Sequence, residues 1–252
     1  MDCWRRELSQ ALPTSMNRIY IGYDQREDMA CQVADHSIRT RTKASLEIYK
    51  LALLTCPMLT RAIERREGKL WCPISQAPMA TEFAISRFCV PFLRREGWAL
   101  FMDCDMLCRG DINELFELAD NQYAVMVVKH NQSGGVATKM DGQVQTYYNR
   151  KNWSSVILWN CEHTAHKNLT LEALNTWPGR DLHAFKWLKD EEIGTLPLEW
   201  NYLVDVSPVP FNRSVKMLHY TLGGPWFPDW KGGSADELWI NEQNGMFNAA
   251  RK

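Results

Sequence analysis

Trp98-Ala99-Leu100-Phe101-Met102-Asp103-Cys104-Asp105 is the stretch that decides how this chain folds. Five apolar residues in succession predict a strand buried on both faces, as in a parallel sheet. The two carboxylates, one residue apart, mark the point where that strand leaves the sheet. Arg109-Gly110-Asp111-Ile112 then reads as a turn into a short helix, so the pair stands outside the carboxyl end of a strand, where open α/β sheets bind ligands. Two crowded carboxylates repel unless a cation compensates them, and Mg²⁺ or Mn²⁺ shared with substrate phosphate oxygens meets that need. A phosphate-bearing substrate is therefore expected. The plainer reading is that these acids only end a strand or cap a helix.

On the amino-terminal side, Arg18 to Gly22 predicts a strand running into Tyr23-Asp24, Gln25 to Arg41 carries Met29, Val33 and Ile38 at helical spacing, and Leu46 to Leu53 predicts a second strand. Strand, helix, strand opens a parallel sheet. Leu54 to Met79, with Pro57, Pro73 and Pro78, is expected to be a loop-rich crossing. Thr81 to Arg95 places Phe83, Ile85, Phe88 and Phe92 on one stripe and predicts a helix bent at Pro91.

On the carboxyl side, Ile112 to Ala119 predicts a short helix, Tyr123 to Lys129 and Ser154 to Trp159 predict strands, and Val136 to Arg150 reads as irregular. Leu169 to Trp177 and Asp181 to Leu188 read as short helices, Leu196 to Val204 and Val215 to His219 as strands, and a last helix starts at Asp236. The expected fold is α/β, a Rossmann-like central mixed and mostly parallel sheet flanked by helices. Residues 18–252 are expected to form one domain behind a loosely held extension, residues 1–17.

The 252 residues are 45% hydrophobic and 23% charged, ordinary for a globular α/β domain. A net charge of −1, from 29 basic and 30 acidic residues, gives no electrostatic footprint for nucleic acid or an anionic membrane. The eight cysteines include no CxxC pair, and Cys89, Cys104 and Cys161 lie inside apolar segments, which points to reduced thiols and a reducing compartment. Arg5 and Arg6 have no sustained apolar segment behind them, so neither a signal peptide nor a membrane span is expected, and a cytoplasmic location is.

His219 follows Val215-Lys216-Met217-Leu218 and precedes Thr221-Leu222-Gly223-Gly224-Pro225-Trp226, which places an imidazole where a strand opens into a flexible, aromatic loop. Imidazole completes a mixed oxygen and nitrogen site for Mn²⁺; the alternative is a structural histidine bonded within the core. Gly223 and Gly224 can bring backbone amides to a phosphate without side-chain obstruction. Trp226 and Trp230 offer apolar faces on which a ligand ring can stack. In the plainer reading Asn160 and Asn201 are ordinary polar residues at strand ends, and for Asn201 that reading is preferred.

Together these features resemble glycosyltransferase family 8, nucleotide-sugar-dependent enzymes of the GT-A fold. The resemblance rests on Ile19-Tyr20-Ile21-Gly22-Tyr23-Asp24, Ser86-Arg87-Phe88 leading to Phe101-Met102-Asp103-Cys104-Asp105, Gly110-Asp111-Ile112, Ser154 to Asn160, and His219-Tyr220 before Gly223-Gly224-Pro225-Trp226. It implies that Asp103, Asp105 and His219 bind Mn²⁺ on the nucleotide diphosphate of a sugar donor, with UDP the nucleotide expected. It also implies that Gly22, Tyr23 and Asp24 lie against the nucleoside, that Arg87 lies near the donor, and that transfer to an acceptor hydroxyl retains anomeric configuration. Asp181, in Asp181-Leu182-His183, is the nearest match to the family's Asp-Gln-Asp near the transferred sugar. The chain departs from the family in carrying Gly224 where a phosphate-contacting Lys precedes Pro-Trp, with Lys231 or Arg213 as substitutes, and Trp153-Ser154-Ser155-Val156 where Asn-Ser-Gly-Val is usual.

Two other classes share some of these features. A haloacid dehalogenase-type phosphohydrolase also uses Asp-x-Asp, but after its first strand. A non-catalytic nucleotide-sugar-binding module would carry the same binding residues without turnover. A nicotinamide oxidoreductase lacks support, since no Gly-x-Gly-x-x-Gly follows the first strand.

Overall fold

A computed structural model describes residues 16–130 and 150–251. In its first half come β1 (Asn17–Gly22), α1 (Asp28–Arg39), β2 (Leu46–Leu51), β3 (Glu64–Arg66), β4 (Lys69–Cys72), β5 (Ala77–Pro78), α2 (Val90–Arg94), β6 (Trp98–Met102), β7 (Met106–Cys108) and α3 (Asn113–Phe116). The second half adds β8 (Val125–Val127), β9 (Val156–Asn160), α4 (Leu171–Thr176), α5 (Gly179–His183), β10 (Ile193–Thr195), β11 (Tyr202–Leu203), β12 (Met217–His219) and α6 (Asp236–Ala249).

The central sheet runs β10-β8-β9-β6-β1-β2. β1 is parallel to both β2 and β6, β8 is parallel to β10, and β9 alone runs against its neighbours. This is the mixed, largely parallel sheet that the apolar runs predict. Ile19, Ile21, Ala99, Leu100, Phe101, Met102 and Val156 through Trp159 are all wholly buried, because strands in the middle of such a sheet are covered on both faces.

Three residues, Asp103, Cys104 and Asp105, separate β6 from β7. β7 belongs to a second sheet, ordered β11-β12-β7. The acidic pair is thus the joint at which the chain passes from one sheet to the other.

Local differences from the sequence reading have physical causes. The segment read as a loop-rich crossing holds a small antiparallel sheet, β3-β4-β5. Its strands are two to four residues long and largely outside the core, and the β3-β4 turn uses Glu67 and Gly68 at φ of 50° and 78°, so no run of buried residues advertises it. Thr81 to Arg95 is not one helix: turns lead to a 3-10 segment, Ser86–Cys89, and then to α2. Pro91 lies in the first turn of α2, where its missing N–H costs nothing. Leu196 to Val204 is split between a 3-10 turn, Leu198–Trp200, and the two-residue β11. Asn17 already belongs to β1. Residues 1–15, and nearly all of the irregular segment expected before Arg150, lie outside the described residues. Among the described residues no helix is long and apolar enough to cross a membrane.

Candidate metal centre and donor site

Asp103 sits one residue beyond β6, its N–H donating to Ser155 O at 2.9 Å. Asp105 is buried, and its carbonyl accepts the Tyr220 N–H at 2.9 Å. That bond extends the antiparallel pairing of β7 with β12, in which Met106 faces His219. Strand pairing therefore carries His219, distant in sequence, to the acidic joint. Its Nε2 lies 3.4 Å from Asp105 Oδ1, and single ligand atoms of Asp103, Asp105 and His219 all fall within 4.8 Å of one another. Two carboxylate oxygens and an imidazole nitrogen form a donor set suited to Mn²⁺, with Mg²⁺ served chiefly by the carboxylates.

Arg87 belongs to the same cluster. It is 5% exposed, its Nη1 reaches Asp103 Oδ1 at 2.9 Å and Ser154 O at 2.7 Å, and its guanidinium lies over the rings of Phe101 and Phe83 at 4.9 and 5.3 Å. It is neither a surface charge nor a helix cap. His219 Nδ1, on the far side of the ring, meets Oδ1 of the wholly buried Asn201 at 2.9 Å.

The sequence pattern described as Glycosyl transferase family 8 matches residues 86–228, more than half of the chain and the whole acidic joint through the glycine loop. The chain belongs to glycosyl transferase family 8. Protein CDI of Arabidopsis thaliana is 45% identical over 232 residues, which cover 89% of this chain and 85% of that protein. Among solved structures, the galactosyltransferase LgtC in complex with donor and acceptor sugar analogs is 15% identical with a TM-score of 0.55, over 90% of this chain and 95% of that one. The WbbM bifunctional glycosyltransferase gives 16% and 0.62, and GlyE of Streptococcus pneumoniae TIGR4 gives 15% and 0.59. This chain spans 52% of the former and 62% of the latter. At these identities the likeness is one of fold: GT-A, the glycosyltransferase fold that the resemblance implies.

Gly22, Tyr23 and Asp24, at the end of β1, are held more tightly than their sequence shows. A Cβ on Gly22 would meet the Phe83 ring at 2.4 Å, so glycine is required there by packing. Tyr23 is half-buried, with Lys50 Nζ 4.7 Å from its ring centre. Asp24 is wholly buried; its carboxylate accepts from Arg26 N, Nε and Nη2 and from Glu82 N, at 2.8 to 3.1 Å. Burial alone would raise its pKa, but these donors outweigh burial and lower it. The Asp24 carboxylate thus ties the turn that follows Tyr23 to Glu82.

The glycine loop is closely packed on itself. The Gly223 amide donates to Tyr220 O at 2.8 Å, and a Cβ on Gly224 would fall 2.1 Å from the Trp226 ring. Trp226 packs against Tyr220 and Trp239, with ring centres 5.8 and 5.3 Å away, and Trp230 Nε1 donates to Asp236 Oδ2 at 2.7 Å. Both indoles are thus part of the loop's own packing. Lys231 and Arg213 are exposed. Asp181, on α5, is paired with Lys186 at 2.8 Å.

Two histidines escaped the sequence reading. His183 Nδ1 meets Ser154 Oγ at 2.7 Å, and burial, reinforced by the Arg87 charge, pushes its pKa well down, leaving a neutral ring. His130, just past β8, is pushed down to about 4 by burial and by His219, and its Nε2 is enclosed with no hydrogen-bond partner among the described residues. His183 closes the Asp181-Leu182-His183 segment and His130 lies in no motif; only folding brings them beside Ser154 and His219.

Proposed function

We propose that this family 8 glycosyltransferase moves a hexosyl group from a UDP-sugar to an acceptor hydroxyl, with retention, using Mn²⁺ or Mg²⁺ held by Asp103, Asp105 and His219. The observation that carries the reading is the convergence of those three side chains at the joint between the two sheets. Bound there, the ion would offset charge that develops on the departing diphosphate. Asp103 and Asp105 supply the anionic charge that retains it, and Arg87 balances part of that charge from behind.

The carbon–oxygen bond to the diphosphate breaks as the bond to the acceptor oxygen forms, and the departing phosphate oxygen takes the acceptor's proton. Tyr23 lies against the nucleoside on the turn shaped by Gly22 and Asp24. Asp181 faces the transferred sugar. Gly223 and Gly224 place their loop beside the diphosphate. The acceptor is a glycan, a lipid-linked glycan, a protein or a small molecule. All seven described cysteines are buried free thiols, which supports a reducing, cytoplasmic setting.

Incubation with a panel of nucleotide sugars and Mn²⁺, with release of nucleotide diphosphate as the readout, tests this reading. Release that requires the metal and increases with an acceptor supports transfer, whereas tight binding without release would assign the chain to the non-catalytic class.

A further inference from the structure

Hydrogen bonding behind His219 has only one consistent direction. Asn152, with φ of 63° and ψ of 0°, presents its carbonyl to Ser155 Oγ at 2.7 Å. A carbonyl only accepts, so the single hydroxyl proton of Ser155 points to it. Ser155 Oγ is then the acceptor for Asn201 Nδ2, at 2.9 Å. This fixes the amide of Asn201 with Oδ1 toward His219 Nδ1, at 2.9 Å. An amide oxygen also only accepts, so the proton of the neutral imidazole sits on Nδ1 and the lone pair on Nε2, the nitrogen that faces Asp105.

We propose that Asn201 and Ser155 are positioning residues that hold His219 in the ring orientation and tautomer able to ligate a divalent cation through Nε2. The proposal rests on the metal reading above and extends it to two residues outside the ligand set. Asn201 and His219 are 0% and 2% exposed, so water does not compete for these bonds. Ser155 acts twice, since its carbonyl also accepts the Asp103 N–H at 2.9 Å. One turn, Asn152 to Ser155, thereby sets the backbone of one ligand and the ring of another. Partners of this kind behind a ligating histidine typically contribute about 10- to 100-fold in metal affinity.

The test uses the full chain labelled with ¹⁵N-histidine, without metal, at about pH 9, where an ordinary imidazole is neutral. His219 is expected as the Nδ1–H tautomer; finding the proton on Nε2 overturns the proposal without any substitution. Mn²⁺ titration followed by electron paramagnetic resonance should then show affinity roughly 10- to 100-fold weaker in Asn201→Leu. Ser155→Ala, a smaller lesion that serves if Asn201→Leu does not fold, should show a mixed tautomer and weakened binding. Wild-type tautomer and affinity in Ser155→Ala or in a folded Asn201→Leu would overturn the proposal alone. Failure of the unaltered protein to bind Mn²⁺ would instead sink the metal reading on which it rests.

Discussion

Arg87 Nη1 stands 2.9 Å from Asp103 Oδ1, inside the protein, so part of the charge of the acidic pair is already compensated. Removing one partner of such a buried pair leaves the other charge desolvated, at a cost of about 3–5 kcal/mol. Arg87→Leu is therefore expected to lower stability by roughly 3 kcal/mol in metal-free buffer. Because a cation beside Asp103 would replace the lost charge, Mn²⁺ should raise the Tm of this variant more than that of the unaltered protein. An equal or smaller rise in a folded variant would show that Arg87 does not share the charge of the metal site.

The two roles that the sequence presents as alternatives for His219 do not exclude each other. It is 2% exposed and bonded to Asn201, which makes it a core residue, and its other nitrogen faces Asp105. His219→Ala is expected to weaken Mn²⁺ binding and also to cost about 1–3 kcal/mol, because Asn201 Oδ1 loses its buried partner. Paired Mn²⁺ titration and thermal melts check both losses. A stability loss with unchanged metal affinity would reduce His219 to a structural residue.

The acidic joint and His219 were legible because each stands where an apolar strand stops, a signal carried by a few adjacent residues. Asn201 was not, since its bonds to Ser155 and His219 exist only once the chain is folded. The phenylalanines between Phe83 and Phe92 do mark a buried face, yet turns and a 3-10 segment deliver it as well as a helix does; periodicity reports burial more surely than backbone form. The glycine loop shows a different limit of sequence. Glycine permits close approach, but sequence does not say of what, and at Gly224 it is Trp226.

Gly224→Ala follows from that contact. The new Cβ would fall 2.1 Å from a ring held between Tyr220 and Trp239, and overpacking of this kind costs about 1–3 kcal/mol. Lys231→Ala, at an exposed position, should change stability by less than about 0.5 kcal/mol. Thermal melts of both variants decide the matter, and a wild-type Tm for Gly224→Ala would show that Trp226 does not fix the loop.

Glu242 ties α6 to α1 by accepting from Arg41 and meeting His36 Nδ1 at 2.8 Å. Burial works to raise its pKa, but Arg41 and then His36 outweigh burial and set it below the ordinary 4.5. Its contribution is thus full above that ordinary value and is lost as pH falls through the lowered one. Glu242→Gln should cost about 1 kcal/mol at neutral pH, roughly 2–4 °C in Tm. The gap between the two proteins should close below about pH 4.5; a gap that persists at lower pH would place the contribution in packing instead.

Donor turnover with and without Mn²⁺, in the unaltered protein and in Asp103→Asn and Asp105→Asn, bears most directly on the metal-dependent transferase. Asparagine keeps the size of aspartate and loses the charge that retains the cation. Both variants are expected to stay folded, to lose Mn²⁺-dependent nucleotide binding, and to release nucleotide diphosphate at under about 1% of the normal rate, a loss of some 3 kcal/mol in transition-state stabilisation. Near-normal release by either folded variant at limiting Mn²⁺ would contradict the assignment of the acidic joint as the metal site.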